Sequence, residues 1–338
     1  MSEHSHLEQE IPILIIVGPP RSGTSLLGRI LGLHPQVATW IEPYFVWDRD
    51  FRDARDDCRT KEEASERVRQ RIRSSFKGFM KAFKAQWVVD KSPRSCLRLP
   101  FVEAVFPEAK YLFLIRDGRD AILSMAKQWE GKKSILEGVP KGERGLGARF
   151  SLLKRWMWRQ PSWSYRVRAL WFEMGPPHGL LRGATLSRTR WGGRFGWGPR
   201  FRGWDRLIDQ VSPLEFSAHQ WAHCARGVVE GLGSIASGRR HLVRYEDLIS
   251  DPEAILADIF AFMGLGLPQG FMDRVPKIMS DNFGKWKREF TQQQLMEIGP
   301  VVQGLIEELG YAEGPAWFQG REMLRCSEPE KTTRKGEV

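Results

Sequence analysis

Eight consecutive residues, Gly18-Pro19-Pro20-Arg21-Ser22-Gly23-Thr24-Ser25, carry the glycines, hydroxyls and positive charge that gripping an anion requires. The glycines let the backbone approach a ligand, and the amides of residues 22–25 open a helix whose N-terminal dipole favours negative charge. The spacing is that of the phosphate loop G-x-x-x-x-G-K-[ST], with Thr24 in the lysine position. Arg21 supplies formal charge, and Thr24 and Ser25 add hydroxyl donors. A tight strand–helix turn is the plain alternative. Nucleoside triphosphatases use the missing lysine on the β- and γ-phosphates and an aspartate to hold Mg²⁺. The comparable strand here, Tyr111–Ile115, ends instead in Arg116, which suits a second phosphate. Ser124 lies eight residues further on, two turns into the next helix, where it and Arg116 can face one phosphate.

These residues need a scaffold, and the apolar pattern supplies one. Ile11–Val17 is a β-branched run, as in a buried parallel strand. Ser22–Leu33 follows as a helix with Leu26, Leu27, Ile30 and Leu31 on one face. Lys61–Phe83 reads as an amphipathic helix, Trp87–Asp90 as a second strand, Leu97–Phe106 as a helix stopped by Pro107, and Gly118–Gln128 as the helix after strand Tyr111–Ile115. A short strand is also expected between the first helix and Glu42. Further on, Ser212-Pro-Leu-Glu215 is a capping box opening a helix to about Ile235; His241–Tyr245 is a fourth numbered strand. Asp251 caps a helix to Met263, and Thr291 with Gln294 caps one to Leu309. Strands alternating with helices imply an α/β fold, a P-loop-like parallel sheet flanked by helices. The chain divides into a polar tail 1–10, a single domain 11–320 and a polar tail 321–338.

The pattern breaks at 131–210, read as a basic, Trp-rich insertion or lid on that domain. It holds 17 Lys or Arg against 5 Asp or Glu, and 7 of the 14 tryptophans, including Trp158, Trp163, Trp191, Trp197 and Trp204. Such residues can stack on sugars and bind anionic groups, or simply pack a small core of their own.

Taken together, the first loop and Leu114-Ile-Arg116-Asp-Gly-Arg-Asp-Ala-Ile-Leu-Ser124 resemble the motifs of sulfotransferases that use 3′-phosphoadenosine 5′-phosphosulfate (PAPS), nearest to the tyrosylprotein sulfotransferases and their bacterial relatives. Asp90-Lys91-Ser-Pro, Arg244-Tyr245-Glu-Asp-Leu and Asn282-Phe-Gly-Lys285-Trp agree with the same family, and the resemblance covers roughly 11–128 and 213–311. It implies a 5′-phosphosulfate loop at Arg21, Ser22, Gly23, Thr24 and Ser25, a 3′-phosphate motif at Arg116 and Ser124, and nucleotide contacts from Tyr245 and Lys285. Some relatives carry an arginine where this chain has Gln128, beside Lys127. By the same resemblance Glu42 is the general base. Lys91 would stabilise charge on the sulfuryl and bridging oxygens, and Ser280 would assist. Glu42 as a surface residue, Lys91 in an ordinary ion pair with Asp90 or Glu42, and Ser280 as a plain loop serine are the competing readings. Arg119 and Asp120 are expected to pair with one another or with other helix residues.

The expected products are a sulfated hydroxyl and 3′-phosphoadenosine 5′-phosphate (PAP), with no metal. The tryptophans favour a carbohydrate or glycolipid acceptor. Protein tyrosine is an alternative, as are a nucleotide kinase with a degenerate loop and a non-catalytic nucleotide-binding module. A formal net charge of +11 favours anionic partners and leaves room for peripheral contact with an anionic membrane. No nucleic-acid motif is present. Four scattered cysteines with no Cys-x-x-Cys pair argue against a disulfide framework or a zinc site and fit a reducing compartment. The polar start lacks a signal-peptide pattern, and Ile13–Val17 is too short to span a bilayer, so a cytoplasmic protein is expected. His219 and His223, four apart on a helix beside Trp221, read as packing residues, and His34 before Pro35 as a helix terminus.

Overall fold

The computed structural model describes residues 10–129, 198–278 and 283–311. Five parallel strands form one sheet: β1 (Ile13–Val17), β2 (Val37–Ile41), β3 (Trp87–Lys91), β4 (Lys110–Ile115) and β5 (Arg240–Arg244), in the order β2-β3-β1-β4-β5. The pattern of β1 accounts for its central place. All five residues are buried; Ile13, Ile15 and Val17 enter one core while Leu14 and Ile16 enter the other. An unbroken apolar run can be satisfied only by helices on both faces.

On one face lie α1 (Thr24–Leu31) and, later in the chain, Pro252–Met263, packed through Leu27, Ile30, Ile259 and Phe260. The other face carries most of the remaining helices. After the one-turn α2 (Tyr44–Trp47) come α3 (Glu66–Phe83), α4 (Leu99–Val105), α5 (Gly118–Trp129) and the one-turn α6 (Trp204–Leu207). These are followed by α7 (Pro213–Ser234), α8 (Tyr245–Ser250), α9 (Pro252–Met263), α10 (Trp286–Glu289) and α11 (Gln292–Glu308). Phe76, Phe101, Phe113, Trp221 and Val302 tie α3, α4, β4, α7 and α11 into one core. No described helix is long and apolar enough to cross a membrane.

Several boundaries move. The strand before Glu42 is β2, an edge strand paired with β3 from Val37 on Trp87 to Ile41 on Lys91. The helix expected at 61–83 begins at Glu66; Lys61–Glu63 is a 3-10 turn closed by a Thr60–Glu63 capping box. The helix expected from Leu97 is a 3-10 turn, Pro93–Leu97, followed by α4. The fourth numbered strand stops at Arg244, because Tyr245 turns out of the sheet to start α8. Ser212 does cap α7, accepting from the Glu215 amide at 3.0 Å, and the Thr291–Gln294 capping box forms in full.

Most of the segment 131–210, expected to be an insertion, lies outside the described residues, but its end does not. The Arg200 backbone N–H donates to Asp57 Oδ2 at 2.7 Å, and its guanidinium pairs with Asp57 Oδ1 at 2.8 Å. Trp204 Nε1 donates to the Arg55 carbonyl, and Phe201 stacks on His223 with ring centres 4.3 Å apart. His223 is thus a packing residue, while His219 Nε2 lies 3.9 Å from Glu215. His34 is buried, bonded to the Gly266 carbonyl and accepting from the Gln36 amide.

Candidate active site

Parallel strands put all their C-terminal ends on one edge, so the sequence segments following them become neighbours. Across this edge lie, in order, Glu42 after β2, Lys91 ending β3, the Gly18–Ser25 loop after β1, Arg116 after β4 and Tyr245 after β5. The connection from β1 runs to one side and β4 and β5 lie on the other. The loop therefore sits where strand order reverses, the position at which such sheets bind ligands.

Close packing shapes the loop. A Cβ on Gly18 would lie 2.4 Å from the Leu114 carbonyl oxygen, and one on Gly23 would lie 2.5 Å from the Tyr245 ring. Gly23 has φ 91° and Arg21 has φ 68°, so the chain passes twice through the left-handed region before α1. For Arg21 that conformation costs about 1–2 kcal/mol, a strain that surrounding contacts must offset. Arg116 Nη1 donates to the Arg21 carbonyl at 3.0 Å, and Arg21 Nε donates to Ser124 Oγ at 2.9 Å. The Ser22 hydroxyl is buried without a partner among the described residues.

A pocket of about 310 Å³ opens beside this loop. Arg21, Arg116, Lys127 and Lys285 line it against a single lining carboxylate, Asp120. Thr24, Ser25, Ser124 and Tyr245 complete its polar wall. The Arg116 guanidinium sits 4.8 Å over the Tyr245 ring. Burial, and after it the neighbouring Arg116 charge, lower the Arg21 pKa. Asp120 is turned to structural use. It accepts from the amides of Gly284 and Trp286 at 2.8 and 2.9 Å, and it lies 3.8 Å from Arg116. Burial raises its pKa, and those amides and Arg116 pull it back. Arg119 points away, chelating Asp117 and covering the Trp286 ring.

Glu42 and Lys91 form a second group on the same edge. Lys91 Nζ lies 2.5 Å from Glu42 Oε1, and the Glu42 amide donates to the Lys91 carbonyl at 2.8 Å, prolonging the β2–β3 pairing by one residue. Glu42 has φ 55°, and Pro43 forms a tight turn in which the Tyr44 amide reaches the Glu42 carbonyl at 2.8 Å. The carboxylate is 40% exposed while the lysine side chain is 3% exposed.

The pocket therefore unites Arg21, Gly23, Thr24, Ser25, Arg116, Ser124, Tyr245 and Lys285, residues drawn from four separate stretches of chain. Glu42 and Lys91 stand together beyond it, and Ser280 lies outside the described residues. Sequence reasoning passed over Lys127 as a pocket residue, although Asp120, Ser124 and Lys127 follow one another at helical spacing on α5. Among the described residues, no three His, Cys, Asp or Glu side chains converge as a metal site requires.

Residues 12–160 match the model of a sulfotransferase family. Protein-tyrosine sulfotransferase 1 of Danio rerio is 27% identical over 134 residues, 35% of this chain and 36% of that protein. Protein-tyrosine sulfotransferase A of Caenorhabditis elegans is 30% identical over 127 residues, 34% of this chain and 33% of that protein. The chain thus spans about a third of the length of these curated relatives. Among solved structures, the sulfotransferase domain of the olefin synthase from Synechococcus PCC 7002 aligns over 91% of this chain and 98% of its own, at 16% identity and a TM-score of 0.49.

Proposed function

We propose that this chain, a relative of the sulfotransferases over residues 12–160, transfers a sulfuryl group from PAPS to an acceptor hydroxyl. The observation that carries the reading is one sheet edge holding both a cation-lined pocket and a separate carboxylate–lysine pair. A nucleotide bearing two phosphate groups needs the first, and deprotonating an acceptor needs the second.

The pocket residues fit such a donor. Gly18 and Gly23 keep the loop free of side chains that its packing cannot hold, the buried Ser22 hydroxyl awaits a partner, and Arg21, Arg116 and Lys285 line the pocket beside Lys127, which pairs with Glu289. When bound, the donor supplies a sulfuryl group on a phosphate leaving group. The amides of residues 23–25 with the Thr24 and Ser25 hydroxyls would hold the 5′-phosphate, the Ser22 amide being turned to the Pro19 carbonyl. Arg116 and Ser124 would hold the 3′-phosphate, and Tyr245 and Lys285 would bound the nucleotide. Glu42 accepts the proton of the acceptor hydroxyl as that oxygen bonds to sulfur. Lys91 steadies the charge that the departing bridging oxygen gains, and Ser280 assists there.

For the acceptor, the Trp-rich segment motivates a carbohydrate or glycolipid. Six of its seven tryptophans lie outside the described residues, and Trp204 is engaged with Arg55. Protein tyrosine is the second reading, favoured by the relatives, which are named as protein-tyrosine sulfotransferases.

The test is thermal stabilisation by PAP, ADP and Mg·ATP, on wild type and Arg116→Ala. A rise in melting midpoint with PAP alone, lost in the variant, supports the reading; a rise with Mg·ATP and none with PAP overturns it in favour of a kinase. Labelled transfer from PAPS to oligosaccharides or to tyrosine peptides then separates the acceptors. PAP binding with no transfer to either, unaffected by substitution of Glu42, would indicate a binding module.

A further inference from the structure

Arg21 belongs by sequence to the loop assigned to the 5′-phosphosulfate, yet its side chain leads elsewhere. Arg21 stands in the turn before α1 with φ 68°, and its Nε reaches Ser124 on α5, 103 residues away, at 2.9 Å. Its own carbonyl accepts from Arg116 Nη1 at 3.0 Å. The loop is thus latched at one residue to both members of the Arg116–Ser124 motif, once through backbone and once through side chain. Both guanidinium groups line the same pocket, and the Arg116 charge acts on Arg21. The pocket's lining carboxylate, Asp120, is already committed to two backbone amides and to Arg116. A neutral 3′-hydroxyl would do little for such a pair of cations. A dianionic phosphate would bridge them, with Ser124 donating as well.

Resting on the sulfotransferase reading, we propose that Arg21 is a ligand of the nucleotide's 3′-phosphate, alongside Arg116 and Ser124, and that it sets the preference for 3′-phosphorylated nucleotides. The consequence is selective. An arginine serving the 5′-group would strengthen every adenosine 5′-phosphate alike. One serving the 3′-phosphate strengthens PAP and leaves AMP, which lacks that group, nearly untouched.

Isothermal titration of PAP and AMP against wild type, Arg21→Gln and Arg21→Lys decides it. Loss of a charge-assisted contact predicts PAP binding weaker by about 10–100-fold in Arg21→Gln, with AMP affinity within about threefold of wild type. Arg21→Lys, which keeps charge but not the fork, should fall between them. Retained AMP binding also reports that the variant is folded. Equal weakening of both nucleotides, or unchanged PAP affinity, overturns the assignment of Arg21 alone. Wild type without preference for PAP over AMP overturns the donor assignment as well.

Discussion

Glu42 Oε1 and Lys91 Nζ meet at 2.5 Å across the ends of adjacent parallel strands, though 49 residues separate them in the chain. The lysine is enclosed, and the carboxylate is the member of the pair open to solvent, as the proposed general base must be. Glu42→Gln should lower kcat by about 10²–10⁴-fold, the usual worth of a positioned general base. PAP affinity should stay within about threefold, because Glu42 does not line the pocket proposed for the nucleotide. Steady-state kinetics beside PAP titration checks both halves, and normal turnover would remove Glu42 from the role.

The backbone at Glu42 tests whether that placement carries strain. A side chain at φ 55° immediately before proline is held by the Lys91 carbonyl on one side and the Pro43 turn on the other. Both Glu42→Ala and Glu42→Gly remove the carboxylate, but only glycine takes this conformation freely. The glycine variant should be more stable than the alanine variant by about 1 kcal/mol in urea unfolding. Equal stabilities would mean that the turn is not strained.

Beneath this end of the sheet, buried Asp48 accepts from Arg94 Nη1 at 2.7 Å and from Arg98. Burial alone would raise its pKa; the Arg98 and Arg94 charges hold it below the ordinary carboxylate value. Asp48→Ala leaves two guanidiniums buried without this partner and should cost about 3–5 kcal/mol. Asp48's contribution is present above the ordinary carboxylate pKa and fades as pH falls through its depressed value. Wild type should therefore lose stability in acid below about pH 4 more steeply than the variant, as followed by urea titrations.

Asp90, adjacent to Lys91, behaves in the opposite sense. It is fully buried, accepts from Trp47 Nε1 at 3.1 Å and Ser92 Oγ at 3.2 Å, and its other oxygen has no partner among the described residues. Burial pushes its pKa up to about 7, against the pull of the Trp47 bond and the Arg98 charge. The folded state therefore binds a proton that the unfolded state has lost between about pH 4 and 7, so this residue makes stability fall as pH rises through that window. Asp90→Asn keeps the shape without the titration. It should flatten that decline and gain on wild type by a few kcal/mol, at about 1.4 per pH unit, between about pH 4 and 7. Parallel slopes for the two proteins would refute the assignment.

How much of this was legible in the sequence depends on range. The strand–loop–helix at 13–31 and the spacing of Arg116 and Ser124 are local, because backbone hydrogen bonding and helical period act over a few residues. The apolar run of β1 likewise announced a strand covered on both faces. Boundaries were less legible where tertiary packing intervened. Tyr245 reads as the end of a strand by composition, yet its ring is claimed by the space over Gly23, and the helix starts there instead.

By itself the sequence determined which residue types could hold phosphate and which segments would carry them, since both follow from local chemistry and periodicity. Only the tertiary structure decided the order β2-β3-β1-β4-β5, which sets Glu42 against Lys91, turns Arg21 toward Ser124 and ties the Gly284–Trp286 loop to Asp120. Those neighbours are chosen by burying both faces of one sheet at once, a condition on the whole chain that no local pattern contains.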